Sequence, residues 1–359
     1  GLAGLCAARD LLKAGRQVVL VEARDRVGGR TYSAPFEAAG LTVDLGAEWV
    51  DPDQHQAMMQ ELARYEIDLE DKVFETPSQG WAPETEAASW HSIVQTCDRI
   101  AAQLNPDQPH WYEGFDQFDL PVTAFLEAHA HDINDLSTFL AHGFALQGAH
   151  PDDYSMLNLL HEFASFGGVE AAFNGAEGRI AGGAQSLSIA MANTLGSVLR
   201  LNCPVTRIAK TEGGVIVEGP AGQILAGQVI VALPLNVLSH LSLDVPLPAM
   251  AARVIVEGHV GRAAKGWAVA TLSEPVESTG WPHAVEVYSR RGSRSDAVCT
   301  FAVADPSHDE ALTESWRVLA TRHPDVVLHP QHVSHDWIAD PCSRGSWSSS
   351  APGQLRGLH

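Results

Sequence analysis

The sequence predicts an α/β fold with two parts: a nucleotide-binding domain on a parallel sheet, and an α+β domain with a mixed sheet. Apolar residues recur at helical spacing over residues 2–12, and Gly15 follows where a helix would end. Residues 17–22 then form a β-branched run that ends in an acid, as expected of a buried parallel strand with a functional tip. After a helix-rich middle segment, strand and helix patterns alternate again from residue 179.

Two glycines, Gly1 and Gly4, stand at the start of the predicted helix. They fit the second and third glycines of the G-x-G-x-x-G dinucleotide motif, with Glu22 at the spacing of the ribose-binding acid. A glycine at position 1 lets the backbone approach a pyrophosphate, and one at position 4 lets helix and strand pack closely. The preceding strand and the first glycine of the motif are absent from the sequence. We therefore expect a fragment that begins inside its own motif.

A second glycine-rich segment follows the strand. Gly28 and Gly29 precede Arg30, so backbone N–H groups and a guanidinium are placed to meet one phosphate. An ordinary turn with a solvated arginine is the alternative. The series G-x-x-G, strand, E-A-R and G-G-R-T resembles the flavin-containing amine oxidase family, which includes monoamine and polyamine oxidases. The resemblance implies a Rossmann-like FAD-binding domain joined to an α+β substrate domain with a mixed sheet.

The resemblance also implies which residues contact FAD. The acid at Glu22 holds the adenosine ribose, the turn at Arg30 lies against the pyrophosphate and flavin, and the backbone of Val205 contacts the adenine. The segment 46–49 passes beside the flavin ring. The full set of implied cofactor residues is Gly1, Ala3, Gly4, Glu22, Ala23, Arg24, Gly29, Arg30, Gly46, Ala47, Glu48, Trp49 and Val205.

Two residues are the catalytic candidates, Lys265 and Trp347. Lys265 stands between small apolar residues at the head of a predicted strand, and a buried lysine is costly unless it is paired or hydrated. An edge lysine that faces solvent is the alternative. The resemblance implies a lysine linked through water to flavin N5, and an aromatic wall of the substrate site at Trp347. Ser346 stands where monoamine oxidases carry the cysteine that attaches FAD, so non-covalent FAD is expected.

Substrate contacts are predicted at Asp51 and Glu162. Asp51 matches a position that is acidic in some polyamine oxidases, although an Asp before a proline is also a common turn residue. Glu162 lies in a segment that either lines the substrate entry or forms a buried amphipathic helix. Amino-acid oxidases tend to place an arginine just after the glycine of segment 46–49, whereas this chain has Glu48 and Trp49 there. This difference disfavours amino acids as substrates.

Composition excludes several classes of partner. The 359 residues carry a formal net charge of −21, which argues against nucleic acid or anionic membrane and mildly favours a cationic amine. Five scattered cysteines predict a reducing, cytoplasmic location without disulfides, and no apolar run is long enough to span a membrane. His329, His332 and His335 are three residues apart, but the strand pattern around Pro330 argues against a metal site.

Sequence patterns also predict the domain boundaries. The FAD-binding domain is expected over 1–78 and 175–243, and the substrate domain over 79–174 and 244–359, with both outer ends of the family pattern missing. An amphipathic helix is predicted over 84–104, and strands over 228–233 and 254–260.

The predicted activity is the oxidation of an amine C–N bond to an imine, with oxygen reduced to hydrogen peroxide. Two alternatives stay open at this point. One is another flavin oxidoreductase of the same fold, related to carotenoid desaturases or protoporphyrinogen oxidases. The other is a non-catalytic protein that keeps the FAD fold. The sequence predicts neither the amine nor an oligomeric state.

Overall fold

The computed structural model describes residues 1–70, 79–80, 86–130, 132–174 and 178–358. The α-helices are α1 Leu2–Lys13, α2 Gln56–Arg64, α3 Glu86–Ala101, α4 Val122–His129, α5 Ser137–Gln147, α6 Met156–Phe166, α7 Val169–Asn174, α8 Gln185–Leu195, α9 Leu235–Leu238, α10 Ala249–Glu257, α11 His308–Arg322 and α12 Leu355–Leu358. The strands are β1 Leu20–Val21, β2 Ser33–Phe36, β3 Leu41–Asp44, β4 Trp49–Val50, β5 Leu69–Glu70, β6 Gln79–Gly80, β7 Gly178–Ile180, β8 Leu199–Arg200, β9 Arg207–Thr211, β10 Gly214–Gly219, β11 Gly222–Ala226, β12 Ser242–Asp244, β13 Ala263–Thr271, β14 Glu277–Thr279, β15 Glu286–Arg291, β16 Asp296–Val303 and β17 Val327–Ser334.

The first helix and strand have the predicted arrangement. Helix α1 is followed by Gly15 in a left-handed conformation (φ 74°), which only glycine adopts at little cost. Strand β1 pairs in parallel with β8, with Leu20 opposite Leu199, and is shorter than the predicted run over 17–22. Helix α8 packs beside α1, and their apolar faces share one core with β1. The start of α1 is thereby placed next to a parallel strand pair, as a dinucleotide site requires.

The middle of the chain is helical, as predicted. Helix α3 buries Ile93, Cys97 and Ile100 on one face, within a core shared with α4, α5, α6 and α7. Helix α6 begins at Ser155, whose hydroxyl accepts a hydrogen bond from Leu157 N–H, a standard helix cap. This cluster forms one side of a large cavity, which Glu162 and Phe166 of α6 line.

A six-stranded sheet in the order β17-β13-β16-β15-β14-β6 carries the second half of the chain. Successive residues of β13 face opposite sides, so Ala264 and Gly266 pack against α11 while Lys265 and Trp267 face the other way. The register places Lys265 opposite Phe301 of β16, and Phe301 opposite Glu286 of β15. These three side chains therefore form one row across the sheet.

Two predicted strands are wrong. The first four residues of the segment 254–260 belong to α10, which ends at Glu257 and is followed by Gly258 (φ 73°). The β-branched run favours a strand by propensity, but the helix buries Val254 and leaves Val256 78% exposed. Residues 228–233 form no strand, and no described strand pairs with them; Ile230 is 62% exposed there. A strand depends on its ladder partners, which an apolar run alone does not supply.

Within the described ranges, no helix combines the length and apolarity needed to cross a membrane. The five cysteines are free, and Cys97 and Cys299 are buried. The domain boundaries stay a prediction.

Candidate active site

A large cavity of about 2010 Å³ lies between the N-terminal elements, the helical cluster and the six-stranded sheet. Its walls contain all but one of the residues predicted for the site. The predicted residues that line it are Gly1, Ala3, Gly4, Glu22, Ala23, Arg24, Gly29, Arg30, Gly46, Ala47, Glu48, Trp49, Glu162, Val205, Lys265 and Trp347. The fold therefore brings together residues that are up to about 350 positions apart in the chain.

Asp51 is the predicted residue that lies elsewhere. Its carboxylate accepts hydrogen bonds from the backbone N–H groups of Asp53 (2.8 Å) and Gln54 (3.0 Å). This is the turn role that the sequence left open, and it uses the carboxylate locally. Asp51 precedes α2 and does not line the cavity.

The glycines at one end of the cavity have the close approaches that the dinucleotide motif requires. A Cβ on Gly4 would lie 3.4 Å from Leu20 Cδ1 and 3.5 Å from Ala232 Cβ, so Gly4 sets the packing of α1. Gly29 has a positive φ of 62°, and a Cβ on Gly46 would lie 1.9 Å from the Arg30 carbonyl oxygen. These glycines let the backbone segments around Gly4, Gly29 and Gly46 pack tightly at this end of the cavity, and we call this part of the wall the cradle.

Arg30 is a half-buried cation at this cradle. Its guanidinium donates hydrogen bonds to the Ser346 carbonyl (2.5 Å) and the Ser348 hydroxyl (2.9 Å), and burial lowers its pKa. Among the described residues no carboxylate pairs with it. A cation that faces a cavity without a paired carboxylate is suited to an anion, so an anionic ligand such as a pyrophosphate fits this position. On this observation the residues fit FAD.

The ribose end of the predicted site has a further support that the sequence did not indicate. Glu22 accepts a hydrogen bond from Arg24 N–H (3.0 Å), and the Arg24 guanidinium pairs with Asp340 at 2.6 Å. Asp340 is also 2.7 Å from His335 Nε2. Burial acts to raise the pKa of Asp340, but hydrogen bonds from His335 and Arg24 hold it well below its usual range. The Arg24–Asp340 pair connects segments more than 300 residues apart, and no local sequence pattern predicts it.

Lys265 is buried and paired, not exposed at an edge. It is 1% exposed, and its ammonium donates to Glu48 Oε2 (2.5 Å) and to the Gly46 carbonyl (3.1 Å). Glu48 also accepts from the Tyr288 hydroxyl (2.5 Å) and lies 3.4 Å from Arg179 Nη1. Glu48 lines the cavity as predicted, but its carboxylate is engaged by Lys265, and neither Tyr288 nor Arg179 was predicted.

Two of the aromatic rings that line the cavity, Trp347 and Phe301, are in contact. Trp347 packs against Phe301 with ring centroids 5.9 Å apart at 65°, and a Cβ on Gly148 would lie 2.5 Å from the Trp347 ring. The Lys265 ammonium lies 5.2 Å from the centroid of Phe301, within reach of a cation–π contact. Phe301 was not predicted, because only the sheet register shows that it lies beside Lys265.

Two carboxylates lining the cavity have neither a hydrogen bond nor an ion pair with any described residue, Glu162 and Glu286. Burial raises the pKa of Glu162, and burial raises that of Glu286 to about 7 despite the opposing charge of Lys265. Glu286 was not predicted. An apolar cavity wall that carries such carboxylates is suited to a cationic ligand.

The described residues contain no group of three His, Cys, Asp or Glu side chains placed to hold a metal ion. His329 and His332 lie on strand β17, and His335 pairs with Asp340.

Comparisons with known proteins agree with this geometry. The family model for flavin containing amine oxidoreductase matches residues 2–358. The chain is 30% identical to putrescine oxidase of Kocuria rosea, over all of this chain and 84% of that protein, and 25% identical to nicotine dehydrogenase of Pseudomonas putida, over all of this chain and 78% of that protein. A solved structure of putrescine oxidase bound to putrescine has a TM-score of 0.83 and 25% identity, over all of this chain and 87% of that chain. The chain therefore belongs to the flavin containing amine oxidoreductase family: it is an enzyme with an α/β fold, and its cofactor is FAD.

Proposed function

We propose that this enzyme oxidises the C–N bond of an amine that carries a second cationic group, and that oxygen is the electron acceptor. The observation that supports this best is the row of Lys265, Phe301 and Glu286 across three adjacent strands, with Trp347 against Phe301. One wall of the cavity thus has a cation, an aromatic ring and a carboxylate side by side on adjacent strands.

The overall reaction balances without any other reagent. The amine loses two electrons and two protons to become an imine, and oxygen gains them to become hydrogen peroxide. Water then hydrolyses the imine to an aldehyde and ammonia. FAD, when bound, supplies the two-electron chemistry that protein side chains lack.

In this reaction the protein side chains bind the cofactor, orient the substrate and exclude water. Arg30 offers a guanidinium to the pyrophosphate, and Glu22 offers a carboxylate to the ribose. Trp347 and Phe301 pack against the alkyl part of the substrate and exclude water from the reacting carbon. Lys265 lines the cavity and would donate a hydrogen bond to the bound flavin. The remaining proposed cofactor contacts are Gly1, Ala3, Gly4, Ala23, Arg24, Gly29, Gly46, Ala47, Glu48, Trp49 and Val205.

A substrate with two cationic groups is supported by the position of Glu286. Adjacent strands are about 4.8 Å apart, so Glu286 lies roughly 10 Å across the sheet from Lys265, with an apolar ring between them. An alkyl chain lying over Phe301 then brings its far ammonium to Glu286. Glu162 supplies a second carboxylate on the opposite, helical wall. A relative named putrescine oxidase is consistent with this class of substrate.

FAD is proposed to bind without a covalent bond. Ser346 is a serine and has no thiol to attach a flavin. Its side chain is buried, and its hydroxyl accepts a hydrogen bond from Ala263 N–H at 2.8 Å. Acid precipitation is expected to release all of the yellow colour, and colour in the pellet would contradict this. A cytoplasmic location rests on the scattered, unpaired cysteines and also stays a proposal.

The test of function is flavin bleaching without oxygen, with a short aliphatic diamine compared with the monoamine of equal chain length. We expect both amines to bleach the flavin and the diamine to bind more tightly. Glu286→Gln should raise the half-saturating diamine concentration by about 10- to 100-fold, equivalent to a charged hydrogen bond of roughly 1.5–3 kcal/mol, and should barely change that of the monoamine.

The matched control is Glu274→Gln, which removes an exposed carboxylate from the same part of the chain. It should behave as the parent does. If no amine bleaches the flavin, the proposed amine oxidation is wrong. If Glu286→Gln affects the binding of both amines equally, only the proposed preference for a diamine is wrong. Admitting oxygen afterwards should restore the colour and form one peroxide per amine, and restoration only by another acceptor would rule out oxygen.

A further inference from the structure

The Glu48 carboxylate is the centre of a buried polar network beside the cavity. Oε2 accepts hydrogen bonds from Lys265 and from the Tyr288 hydroxyl, both at 2.5 Å, and Oε1 lies 3.4 Å from Arg179. The Glu48 and Lys265 side chains are 1% and 2% exposed. The contacts that hold this carboxylate therefore come from three separate strands, β13, β15 and β7.

The network continues outward as a chain of alternating charges. Arg179 lies 3.2 Å from Glu70, and Glu70 lies 3.0 Å from Arg290. The side chain of Glu70 is about one-third exposed, so the chain leads from the cavity wall to the surface. Burial acts to raise the pKa of Glu48, but Lys265 and Arg179 outweigh it and leave the pKa lowered. Glu48 is thus a carboxylate held between two cations.

The same contacts fix the ammonium of Lys265. Two of its N–H groups are used by Glu48 and by the Gly46 carbonyl, and it donates no hydrogen bond to any other of the described residues. Burial acts to lower the pKa of Lys265, but the charge of Glu48 outweighs it and raises the pKa. Lys265 also lines the cavity, so the third N–H group is left for a group bound there.

We propose that Glu48 is a positioning residue: its carboxylate holds Lys265 as an ammonium ion and leaves one N–H donor for the flavin. The proposal rests on the proposed function only in placing the flavin beside Lys265. Lys265 then acts as a hydrogen-bond donor and does not accept a proton during turnover. In this role the Glu48 carboxylate acts through Lys265, in addition to the cofactor contact proposed above for the segment that contains Glu48.

Other titratable groups around Lys265 affect the same ionisation, and the experiment has to separate them. They face Lys265 from β3, β15 and β16 and from the segment before β4. The set is Asp44, Glu48, Glu286, Tyr288 and Cys299.

The experiment is a pH titration of the visible absorption spectrum of the FAD-loaded protein, for the parent, Glu48→Gln, and the double variant Glu48→Gln with Lys265→Met. Without the carboxylate, burial dominates and the pKa of Lys265 falls below its ordinary value of about 10.4. Glu48→Gln is expected to show an added spectral transition below pH ~10, and the double variant is expected to lose it. No added transition, or one that persists in the double variant, would overturn the proposal.

A matched control is Glu70→Gln, which removes a carboxylate from the same charge chain one step further out and does not contact Lys265. Its titration should match that of the parent, and an added transition there would also overturn the proposal. Any general disturbance of the network would affect both variants, whereas loss of the direct contact affects Glu48→Gln alone.

Melting temperatures test the pairing without flavin activity. Glu48→Gln leaves a buried lysine without its carboxylate, so it should melt well below the parent, and the double variant should regain part of the loss. Purely additive losses would overturn the pairing. If amines do not bleach the parent, the proposed function fails, and this comparison still decides whether Glu48 holds Lys265.

Discussion

At the scale of single residues, chemistry in this protein depends on partners that are remote in the chain. Lys265 meets Glu48 across more than 200 residues, and Arg24 meets Asp340 across more than 300. The residue type sets what each group can do, and the contact decides what it does. Lys265 alone reads as a solvent-facing lysine, but with Glu48 at 2.5 Å it is a buried donor.

Glu286 gives a prediction at this scale. Its pKa rises from an ordinary 4.5 to about 7 in the folded state, so its buried charge costs stability only when it is ionised. Below pH ~4.5 it is protonated whether folded or unfolded and has no effect, and above about 7 the cost is complete. Glu286→Gln should therefore leave the free energy of unfolding unchanged at pH ~4.5 and raise it by up to about 3 kcal/mol at pH ~8.

Urea unfolding of flavin-free parent and variant at both pH values measures this difference. His142 and His259 also make stability depend on pH in this range, since burial lowers the folded-state pKa of each from 6.5 to about 4. Because they are present in both proteins, the difference between variant and parent isolates Glu286. An equal gain at both pH values would show that Glu286 is not the titrating group.

At the scale of elements, the two-residue alternation of strands decides which side chains reach the cavity. Strand β13 turns Ala264 and Gly266 toward α11 and Lys265 toward the cavity. A shift of one residue would exchange the two sets, so the close fit of Gly266 against Leu312 also holds Lys265 in place.

The turn containing Gly46 gives the element-scale prediction. A Cβ there would lie 1.9 Å from the Arg30 carbonyl oxygen, a backbone atom that moves only with its whole segment. Gly46→Ala should lower the free energy of unfolding by about 1–3 kcal/mol, because the backbone of Arg30 has to move. It should also weaken FAD binding if Arg30 binds the pyrophosphate as proposed. Thermal melting and FAD titration measure the two effects.

Gly213→Ala is its matched control. A Cβ on Gly213 meets nothing within 4 Å, so this variant should change stability by less than about 0.5 kcal/mol and leave FAD binding intact. If Gly46→Ala binds FAD as the parent does, the cradle at Arg30 is not part of the cofactor site.

At the scale of the whole molecule, the net charge of −21 acts on cationic substrates before they enter the cavity. A negative field raises the encounter rate of a dication more than that of a monocation, and salt screens it. Raising ionic strength from about 0.01 to 0.5 M should lower kcat/KM for a diamine by up to about tenfold, with less effect on a monoamine.

Steady-state kinetics with both amines at several salt concentrations test this, and kcat should stay constant. A neutral solute such as sucrose, at matched viscosity, is the control for slower diffusion. A kcat/KM for the diamine that does not change with salt would exclude electrostatic steering.

The sequence by itself determined what is local. The start and end of α1, the glycine positions and the helical middle segment follow from short patterns, since helix caps, turns and close backbone approaches depend on a few neighbouring residues. The predicted site residues that line the cavity were implied by the resemblance that those patterns carry. The family relationship was confirmed because those patterns occur in a fixed order. Asp51, in contrast, fits its local turn and lies outside the cavity.

Only the tertiary structure decided what depends on register and long-range contact. The strand order of the six-stranded sheet places Phe301 beside Lys265, Glu286 one strand further, and Tyr288 against Glu48. Arg179 reaches Glu48 from another sheet, in which β7 pairs with β4. Packing also decided the structure of residues 254–260. Their strand propensity predicts a strand, but they are helical up to Glu257, and the helix buries Val254. Pairings of this kind are set by the packing of distant segments, and side chains separated by hundreds of residues carry no local signal of one another.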